Sequence, residues 1–494
     1  MISPGGGPVP EGPNIVMVLL DDLDAMTTPY WDAMPRTKAL LADRGMTFTQ
    51  AVAPTPICCA ARASILAGQY GHNTGVLTNG GTQGGWKVFH DGGAEQRTFP
   101  IALQDAGYRT MLVGKYMNGY DDTTFIPPGW SEWYATADNV AYTGYGYTLN
   151  ENGALVQYGT ADDDYLTDVV SRKTTDFIDR SEADDDRPFF AYVAPTAPHL
   201  PLQPPRRYQP NPFDDATQAT SPNFYEPDVS DKPWWLQLSA PSRDQTQGFN
   251  AQDYRDRLGS LLAVDDMVAS IADHLEQAGE LDDTVFVFTS DNGYNLGAHK
   301  LIHKMAPYEE SQRVPLVIAG PGIAHGTDDH LTIQPDLGPT ILDLAGIPAL
   351  GTFDGSSLVP RLQPGAVGPF PTTYVEQYVG GSAANGIGAE MPPGLNFAVL
   401  VLLLGQELPT YRAIRTERYT YVEWSGPEYG GWASQELYDR DVDPWQLDNL
   451  VSTPSGASEH ATLVDALTGR LDELATCAGA TCRSLAVEPI PGAP

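Results

Sequence analysis

Cys58 opens the run Cys58-Cys59-Ala60-Ala61-Arg62-Ala63-Ser64-Ile65-Leu66-Ala67-Gly68, which follows the proline-rich Ala53-Pro54-Thr55-Pro56 and reads directly into a helix. A cysteine in that place is either buried filler, a common fate of a free thiol, or a reactive group at a helix N-terminus. There, unpaired N–H groups and the helix dipole favour an anion. Arg62, one turn on, brings a permanent positive charge to the same end. Polar residues that follow apolar runs bear on the choice. Asp21-Asp22 follow the run 14–20, Gly114-Lys115 follow 110–113, His199 follows 188–194, and Asp291-Asn292 follow 284–289. Taken singly, such residues are caps and turns. Together they supply three carboxylates and an amide oxygen, a hard-oxygen donor set that suits Ca²⁺ or Mg²⁺ rather than zinc. Crowding those carboxylates without a cation is costly. Arg62, Lys115, His199 and Lys304 are then candidates to surround an anion held at the metal.

These residues need a scaffold that gathers strand ends. The continuous apolar run 14–20 has the pattern of a central parallel strand buried on both faces. Short strands are expected at 110–113, 188–194, 284–289 and 316–319. Helices are expected at 253–279, where Leu258, Leu261, Leu262, Met267, Val268, Ile271 and Leu275 form a stripe, and at 337–345. Strands alternating with helices imply an α/β fold, a large mostly parallel central sheet sandwiched by helices. Ligands bind such sheets outside the carboxyl ends of the strands. The intervals 120–180 and 203–250 are rich in turn residues and read as loops over one end of the sheet. Tyr374-Val375-Glu376 reads as the last strand of the main sheet. Residues 411–424 alternate like an antiparallel hairpin around Glu417-Arg418. The expected division is a catalytic domain over 1–370 and a smaller domain with antiparallel strands over 371–494.

Composition narrows the partners. The chain has 494 residues, 41% of them hydrophobic, enough for a large domain and a smaller one. With 63 acidic and 28 basic residues its net charge is −35, which argues against nucleic acid and anionic membranes as partners. A local basic pocket could still hold one small anionic group, because the far field is screened. No run approaches the roughly 20 apolar residues of a membrane span; 397–404 is apolar but short and reads as a buried strand. The first residues lack the charged and apolar parts of a signal peptide. The chain is therefore cytoplasmic or a mature form whose leader is absent from it. Cys477 and Cys482 flank a short loop and form either a disulfide, which suits an oxidising compartment, or two thiols of a cytosolic tail.

Taken in order, the motifs resemble those of type I sulfatases of the alkaline phosphatase superfamily. Pro13-Asn14-Ile15-Val16 through Asp21-Asp22 resembles that family's opening strand. Cys58-Cys59-Ala60-Ala61-Arg62, with Leu66-Ala67-Gly68, resembles its C-x-P/A-x-R maturation signal. Gly114-Lys115, Ala197-Pro198-His199, Ser290-Asp291-Asn292-Gly293 and Lys304-Met305-Ala306-Pro307-Tyr308-Glu309 follow in family order, then Pro315-Leu316-Val317-Ile318 and Asp336-Leu337-Gly338. Gly114-Lys115-Tyr116-Met117-Asn118, Pro222-Asn223-Phe224, Asp231-Lys232-Pro233 and the tail Cys477 to Arg483 look most like the N-acetylglucosamine-6-sulfatase-like glycosaminoglycan sulfatases, and that tail strengthens the disulfide reading.

The resemblance implies a formylglycine enzyme. Cys58 would be oxidised by a formylglycine-generating maturation enzyme to an aldehyde that hydrates to a diol. One hydroxyl would attack sulfur and expel the alcohol, and the other would let the carbonyl re-form and eject sulfate. The implied metal ligands, for Ca²⁺ with Mg²⁺ as the alternative, are Asp21, Asp22, Asp291, Asn292 and an oxygen of modified Cys58. Arg62 and Lys115 would orient the diol, and Lys304 and His199 would bind sulfate oxygens and protonate the leaving group. Two departures stand out. Ala60 replaces the usual proline, and no histidine follows Lys115 at the place where many relatives carry the base of the second step. Asn118, His299 and His303 are the nearby polar candidates, and His72 is a candidate for the substrate pocket. The expected substrate is a small sulfated molecule read one terminal unit at a time, since a long anionic polymer would be repelled. The competing readings are a phosphonate monoester or phosphodiester hydrolase with the same nucleophile, and a binding protein in which Cys58 stays a thiol. A secreted or periplasmic location is expected. The oligomeric state is not specified by the sequence.

Overall fold

The computed structural model describes residues 12–121, 123–184, 187–218, 220–239, 243–366, 373–378, 409–425 and 432–493. The first strand, β1 (Asn14–Leu20), has all seven residues buried, as a strand covered on both faces must. Ile15, Met17 and Leu19 enter one core, and Val16, Val18 and Leu20 enter another on the opposite face. The first core is closed by the helices Cys58–Ala67, Phe99–Asp105 and Leu337–Leu344. The second is closed by Leu166–Asp184 and Arg243–Ala278; of the expected stripe Leu258, Leu261, Met267, Val268, Ile271 and Leu275 enter this core, joined by Val264, while Leu262 is only half-buried.

Around β1 the chain builds a ten-stranded mixed sheet. Its other strands are β2 (Met46–Val52), β3 (Arg109–Gly114), β4 (Glu132–Thr136), β5 (Thr148–Glu151), β6 (Ala154–Gln157), β7 (Phe189–Ala194), β8 (Thr284–Ser290), β11 (Leu316–Ala319) and β12 (Gly326–Ile333). The two-residue strands β9 (Asn295–Leu296) and β10 (Ile302–His303) form a separate ribbon. The order across the large sheet is β12-β2-β11-β8-β1-β7-β3-β4-β5-β6. In its centre β8, β1, β7 and β3 run parallel, so their carboxyl ends emerge at one edge. Three backbone bonds lock that edge: Asp21 N to the Ala197 carbonyl at 3.1 Å, Asp291 N to that of Leu20 at 3.1 Å, and Lys115 N to that of Ala194 at 2.7 Å. Gly114 (φ 99°) permits the last, because a Cβ there would lie 2.0 Å from the Ala194 oxygen.

The structure corrects several expectations. The interval 120–180 is not loop alone: it holds β4, β5, β6 and the helix Leu166–Asp184. That helix buries only a narrow stripe, including Val169, Val170, Phe177 and Ile178, among many polar residues, so its period is faint in the sequence. The long helix starts ten residues before the expected 253, at Arg243. β2 and β12 lie at one margin of the sheet and are only partly buried, so they lack the apolar run of a central strand. Tyr374-Val375-Glu376 falls in β13 (Thr373–Tyr378), which belongs to a second sheet instead of the main one. That antiparallel sheet continues with β14 (Tyr411–Thr416), β15 (Tyr419–Ser425) and β16 (Trp432–Asp439), the hairpin turning at Glu417-Arg418 as expected. The expected strand at 397–404 lies outside the described residues. Cys477 and Cys482 form a disulfide, with Cα atoms 5.0 Å apart. Among the described residues no helix is long and apolar enough to cross a membrane.

The second sheet is tied to the chain just after Lys304. Glu309, 2% exposed, meets Arg415 through both carboxylate oxygens, at 2.5 and 2.9 Å, with Arg313 at 3.5 Å and Arg440 at 4.0 Å. Tyr308 donates to Glu436 at 3.0 Å, and the Tyr411 hydroxyl donates to the Met305 carbonyl at 2.8 Å. Burial pushes the Glu309 carboxyl up, but Arg415, Arg440 and Arg313 overcome it and hold it at about 2. Removing this carboxylate leaves buried guanidinium groups without their counter-charge. Glu309→Gln should therefore cost about 3–5 kcal/mol of stability at neutral pH. A depressed carboxyl contributes stability above its unfolded-state pKa and loses it as pH falls through the folded value. In urea unfolding followed from neutral to acid pH, the gap between wild type and Glu309→Gln should narrow below about pH 4. A gap unchanged down to the acid limit would contradict the assignment.

Candidate active site

The helix Cys58–Ala67 begins directly at Cys58, after an extended Ile57, and ends on Gly68 in the left-handed conformation (φ 62°). No side chain of its N-cap residue closes the first turn; Asn79 accepts from the Cys59 N–H at 2.8 Å instead. Cys58 is fully buried and faces the strand ends. Its Sγ lies 3.6 Å from Asp21 Oδ1 and 3.9 Å from Asp22 Oδ1, and Lys304 Nζ approaches it to 2.8 Å. Ligand atoms of Asp21, Asp22, Cys58 and His199 all fall within 4.8 Å of one another.

Three fixed cations hold the carboxylates. Lys115 Nζ is 2.6 Å from Asp21 Oδ2, and Lys304 Nζ is 2.7 Å from Asp22 Oδ1. Arg62 Nε is 2.8 Å from Asp291 Oδ2, its Nη2 is 3.7 Å from Asp21 Oδ2, and its Nη1 donates to the Lys115 carbonyl at 2.8 Å. His199 Nε2 is 3.4 Å from Asp22 Oδ2, while its Nδ1 faces the Leu200 carbonyl. Burial pushes Asp21 up, but Lys115, His199 and Arg62 outweigh it and hold its carboxyl below the ordinary range. Asp291 goes the other way: burial and repulsion from Asp21 raise it despite Arg62. Lys115 is held well above its ordinary value because the attraction of Asp21 and Cys58 exceeds the cost of burial.

The donor set fits a hard divalent cation. Asp22 Oδ2 and Asn292 Oδ1 are buried and accept no hydrogen bond, and the buried Asp21 Oδ2 meets the cations Lys115 and Arg62. Asn292 now donates Nδ2 to Asp22 Oδ1 at 2.6 Å and to the Gly293 carbonyl at 2.8 Å, so a half-turn of its amide would present the oxygen to a cation at the carboxylates. Asp22 has a left-handed backbone (φ 66°), a conformation that aspartate tolerates better than most residues. It is fixed by its own N–H to Asp291 Oδ1 at 3.1 Å and by Arg257, which donates Nη2 to its carbonyl at 2.5 Å.

The expected residues divide clearly. Asp21, Asp22, Cys58, Arg62, Lys115, His199, Asp291, Asn292 and Lys304 converge. Asn118 lies close by, donating to the Tyr142 hydroxyl at 3.2 Å; the Tyr142 ring packs against His199 (centroids 4.4 Å apart) and under Lys115 Nζ (4.9 Å). His303 stands one residue before Lys304, with Nδ1 3.0 Å from the Tyr294 hydroxyl. His72 is placed elsewhere. It follows the far end of the Cys58 helix, roughly 15 Å along a ten-residue helix, and bonds the Cys477 carbonyl at 3.0 Å beside the disulfide. His299 is fully buried against Glu226 and Asn223 rather than at the thiol. Tyr142 and Arg257 were not found from the sequence. A buried arginine inside the apolar stripe of the long helix was the available signal for Arg257; Tyr142, in a turn-rich interval, offered none.

The stretch that delivers Lys304 is unusual. Gly297, His299, Lys300, His303 and Met305 have φ of 103°, 49°, 60°, 83° and 80°. For a residue with a side chain the left-handed region costs about 1–2 kcal/mol, so this turn must be held by its surroundings.

The family model described as Sulfatase matches residues 13–347. N-acetylglucosamine-6-sulfatases of Capra hircus and Homo sapiens are each 34% identical, over 96% of this chain and 85% and 86% of theirs. A solved protein in complex with its substrate D-glucosamine-2-N,6-O-disulfate superposes with a TM-score of 0.75 at 22% identity, covering 96% of this chain and 99% of that one. The phosphonate monoester hydrolase of Silicibacter pomeroyi shares the fold with a TM-score of 0.68 at 21% identity, over 93% and 95%. The chain belongs to the sulfatase family, the sulfuric ester hydrolases.

Proposed function

We propose that the chain hydrolyses the 6-O-sulfate of a terminal glucosamine-type sugar, with the side chain of Cys58, oxidised to formylglycine, as nucleophile. The observation that carries the chemistry is Cys58 at a helix N-terminus, within 4 Å of Asp21, Asp22 and Lys304. The N-acetylglucosamine-6-sulfatases at 34% identity support the sugar. The Sγ atom marks where the oxygens of the hydrated aldehyde would lie. That group would supply an attacking hydroxyl and, in its second hydroxyl, an exit that serine lacks. Cys58 is wholly buried, so the maturation enzyme would have to reach it before the fold closes.

Asp21, Asp22, Asp291 and Asn292 would hold Ca²⁺ or Mg²⁺, which supplies Lewis-acid polarisation and charge neutralisation when bound. With the carboxylates so occupied, Lys115 and Lys304 would face the anionic ester. Arg62 stays paired with Asp291 and sets the orientation of the Cys58 helix. Lys304 and His199 bind sulfate oxygens, and one of them passes a proton to the departing sugar oxygen. Tyr142 fixes the plane of the His199 ring. The net charge of −35 favours a single terminal unit over a long anionic chain. The disulfide and the extracellular sulfatases among the relatives support an oxidising, extracytoplasmic location. The chain would divide near residue 370, the second sheet serving as a buttress for the Lys304 segment.

Five measurements test this reading. Mass spectrometry of the Cys58 peptide from protein made with its maturation enzyme should show sulfur replaced by an aldehyde oxygen; a thiol in fully active protein would refute the nucleophile. Cys58→Ser should give at most one turnover per molecule, and its steady-state kcat should fall by about a thousandfold or more. After chelation, adding Ca²⁺ or Mg²⁺ at a hundred times its Kd should stabilise the fold by about 2.7 kcal/mol, and Asp22→Ala should abolish the response. Sulfated glucosamine monosaccharides and short oligosaccharides should turn over faster than internal sulfates of intact polymer. A kcat/KM that favours a phenylphosphonate monoester over every sulfate would instead assign the site to phosphonates.

A further inference from the structure

Behind the Lys304 turn lies a fully buried polar cluster that the proposed chemistry does not use. His299 Nδ1 is 2.6 Å from Glu226 Oε2, and its Nε2 is 3.1 Å from Asn223 Nδ2. An amide nitrogen can only donate, so Nε2 is the acceptor and the imidazole proton sits on Nδ1, bonded to Glu226. Asn223 Nδ2 also reaches Glu310 Oε1 at 2.8 Å. The backbone repeats the grip: the His299 N–H donates to the Asn223 carbonyl, and the Tyr225 N–H to that of Gly297, both at 2.8 Å. The rings of Phe224 and Tyr225 lie so close to Gly297 that a Cβ there would meet them at 2.7 and 3.0 Å. The far side is anchored in turn. Glu226 Oε1 lies 3.3 Å from Lys232 Nζ, Asp231 receives the Asn449 N–H at 2.7 Å, and Asn223 Nδ2 lies 3.3 Å from the Trp445 carbonyl.

We infer that His299 is a positioning residue: clamped by Glu226 and Asn223, it holds the left-handed 297–305 turn in the conformation that delivers Lys304 to Cys58. Four residues with side chains in the left-handed region do not hold such a turn by themselves, and the His299 side chain is bonded on both ring nitrogens. A misplaced Lys304 would still leave the substrate its other contacts, so the loss falls on turnover rather than on binding. The inference rests on the role proposed for Lys304.

The test is a double-mutant cycle between His299→Ala and Lys304→Ala, assayed with an activated aryl sulfate on metal-loaded, formylglycine-containing enzyme. His299→Ala should lower kcat about a hundredfold with KM changed less than about threefold. In the Lys304→Ala background the same change should cost less than about twofold, because the group it positions is gone. His299→Asn, which restores a donor toward Glu226, should recover most of the loss. Independent losses that multiply, or wild-type turnover in His299→Ala, would overturn the clamp while leaving the proposed role of Lys304 intact. Wild-type turnover in Lys304→Ala would remove both. Should His299→Ala fail to fold, Asn223→Ala carries the same cycle with the same criteria.

Discussion

Asp21 and Asp22 are buried within 4 Å of one thiol, with the buried Asp291 bonded to the Asp22 N–H beside them, and the rest of the architecture answers the repulsion this creates. Backbone geometry brings them together, since β1 and β8 run parallel and in register to Leu20 and Ser290. Arg62, Lys115 and Lys304 keep the cluster soluble in the protein interior, each arriving from a different element. The balance is specific rather than diffuse. Asp21 is held below the usual carboxylate range and Asp291 is held above it, although the chain as a whole is strongly acidic. Oxygens that accept no hydrogen bond remain at the centre, where a divalent cation would complete the arrangement.

The cations differ in how they are supported. Arg62 lies in a regular helix and Lys115 follows a strand end, both rigid by construction. Lys304 comes from a turn that no local preference favours, and its support is tertiary: the 221–232 segment on one side and the antiparallel sheet on the other. The second sheet therefore contributes to the site without lending it a ligand. Its Arg415 meets Glu309 five residues beyond Lys304, and its Glu436 receives Tyr308. Lys304, the cation proposed to face the substrate anion, thus lies on a segment braced from two sides.

Residue type and order in the sequence already determined the central strand, the strand ends that carry the chemistry, the helix that starts at Cys58 and the hairpin at Glu417-Arg418. These are short-range facts: an apolar run, a small-residue helix and a glycine before a lysine are legible because their causes lie within a few residues. The same reading could not see β2, β12 or the helix Leu166–Asp184, whose apolar stripes are narrow and whose burial comes from distant partners. Nor could it sort the histidines. His72, His199, His299 and His303 look alike in sequence, yet one bonds the disulfide loop, one meets Asp22, one is locked between Glu226 and Asn223, and one lies against Tyr294. Imidazole chemistry depends on which groups face its two nitrogens, and for His72, His199 and His299 contacts made across more than seventy residues of chain decide that. Only the tertiary structure brought Tyr142 and Arg257 to the site, and only it gave Cys58 its surroundings. The sequence by itself pointed to Cys58, Asp21, Asp22, Asp291 and Asn292 as candidates, and they meet because parallel strands release their ends on one edge. The packing of the remaining chain decided which charged and polar side chains reach that edge.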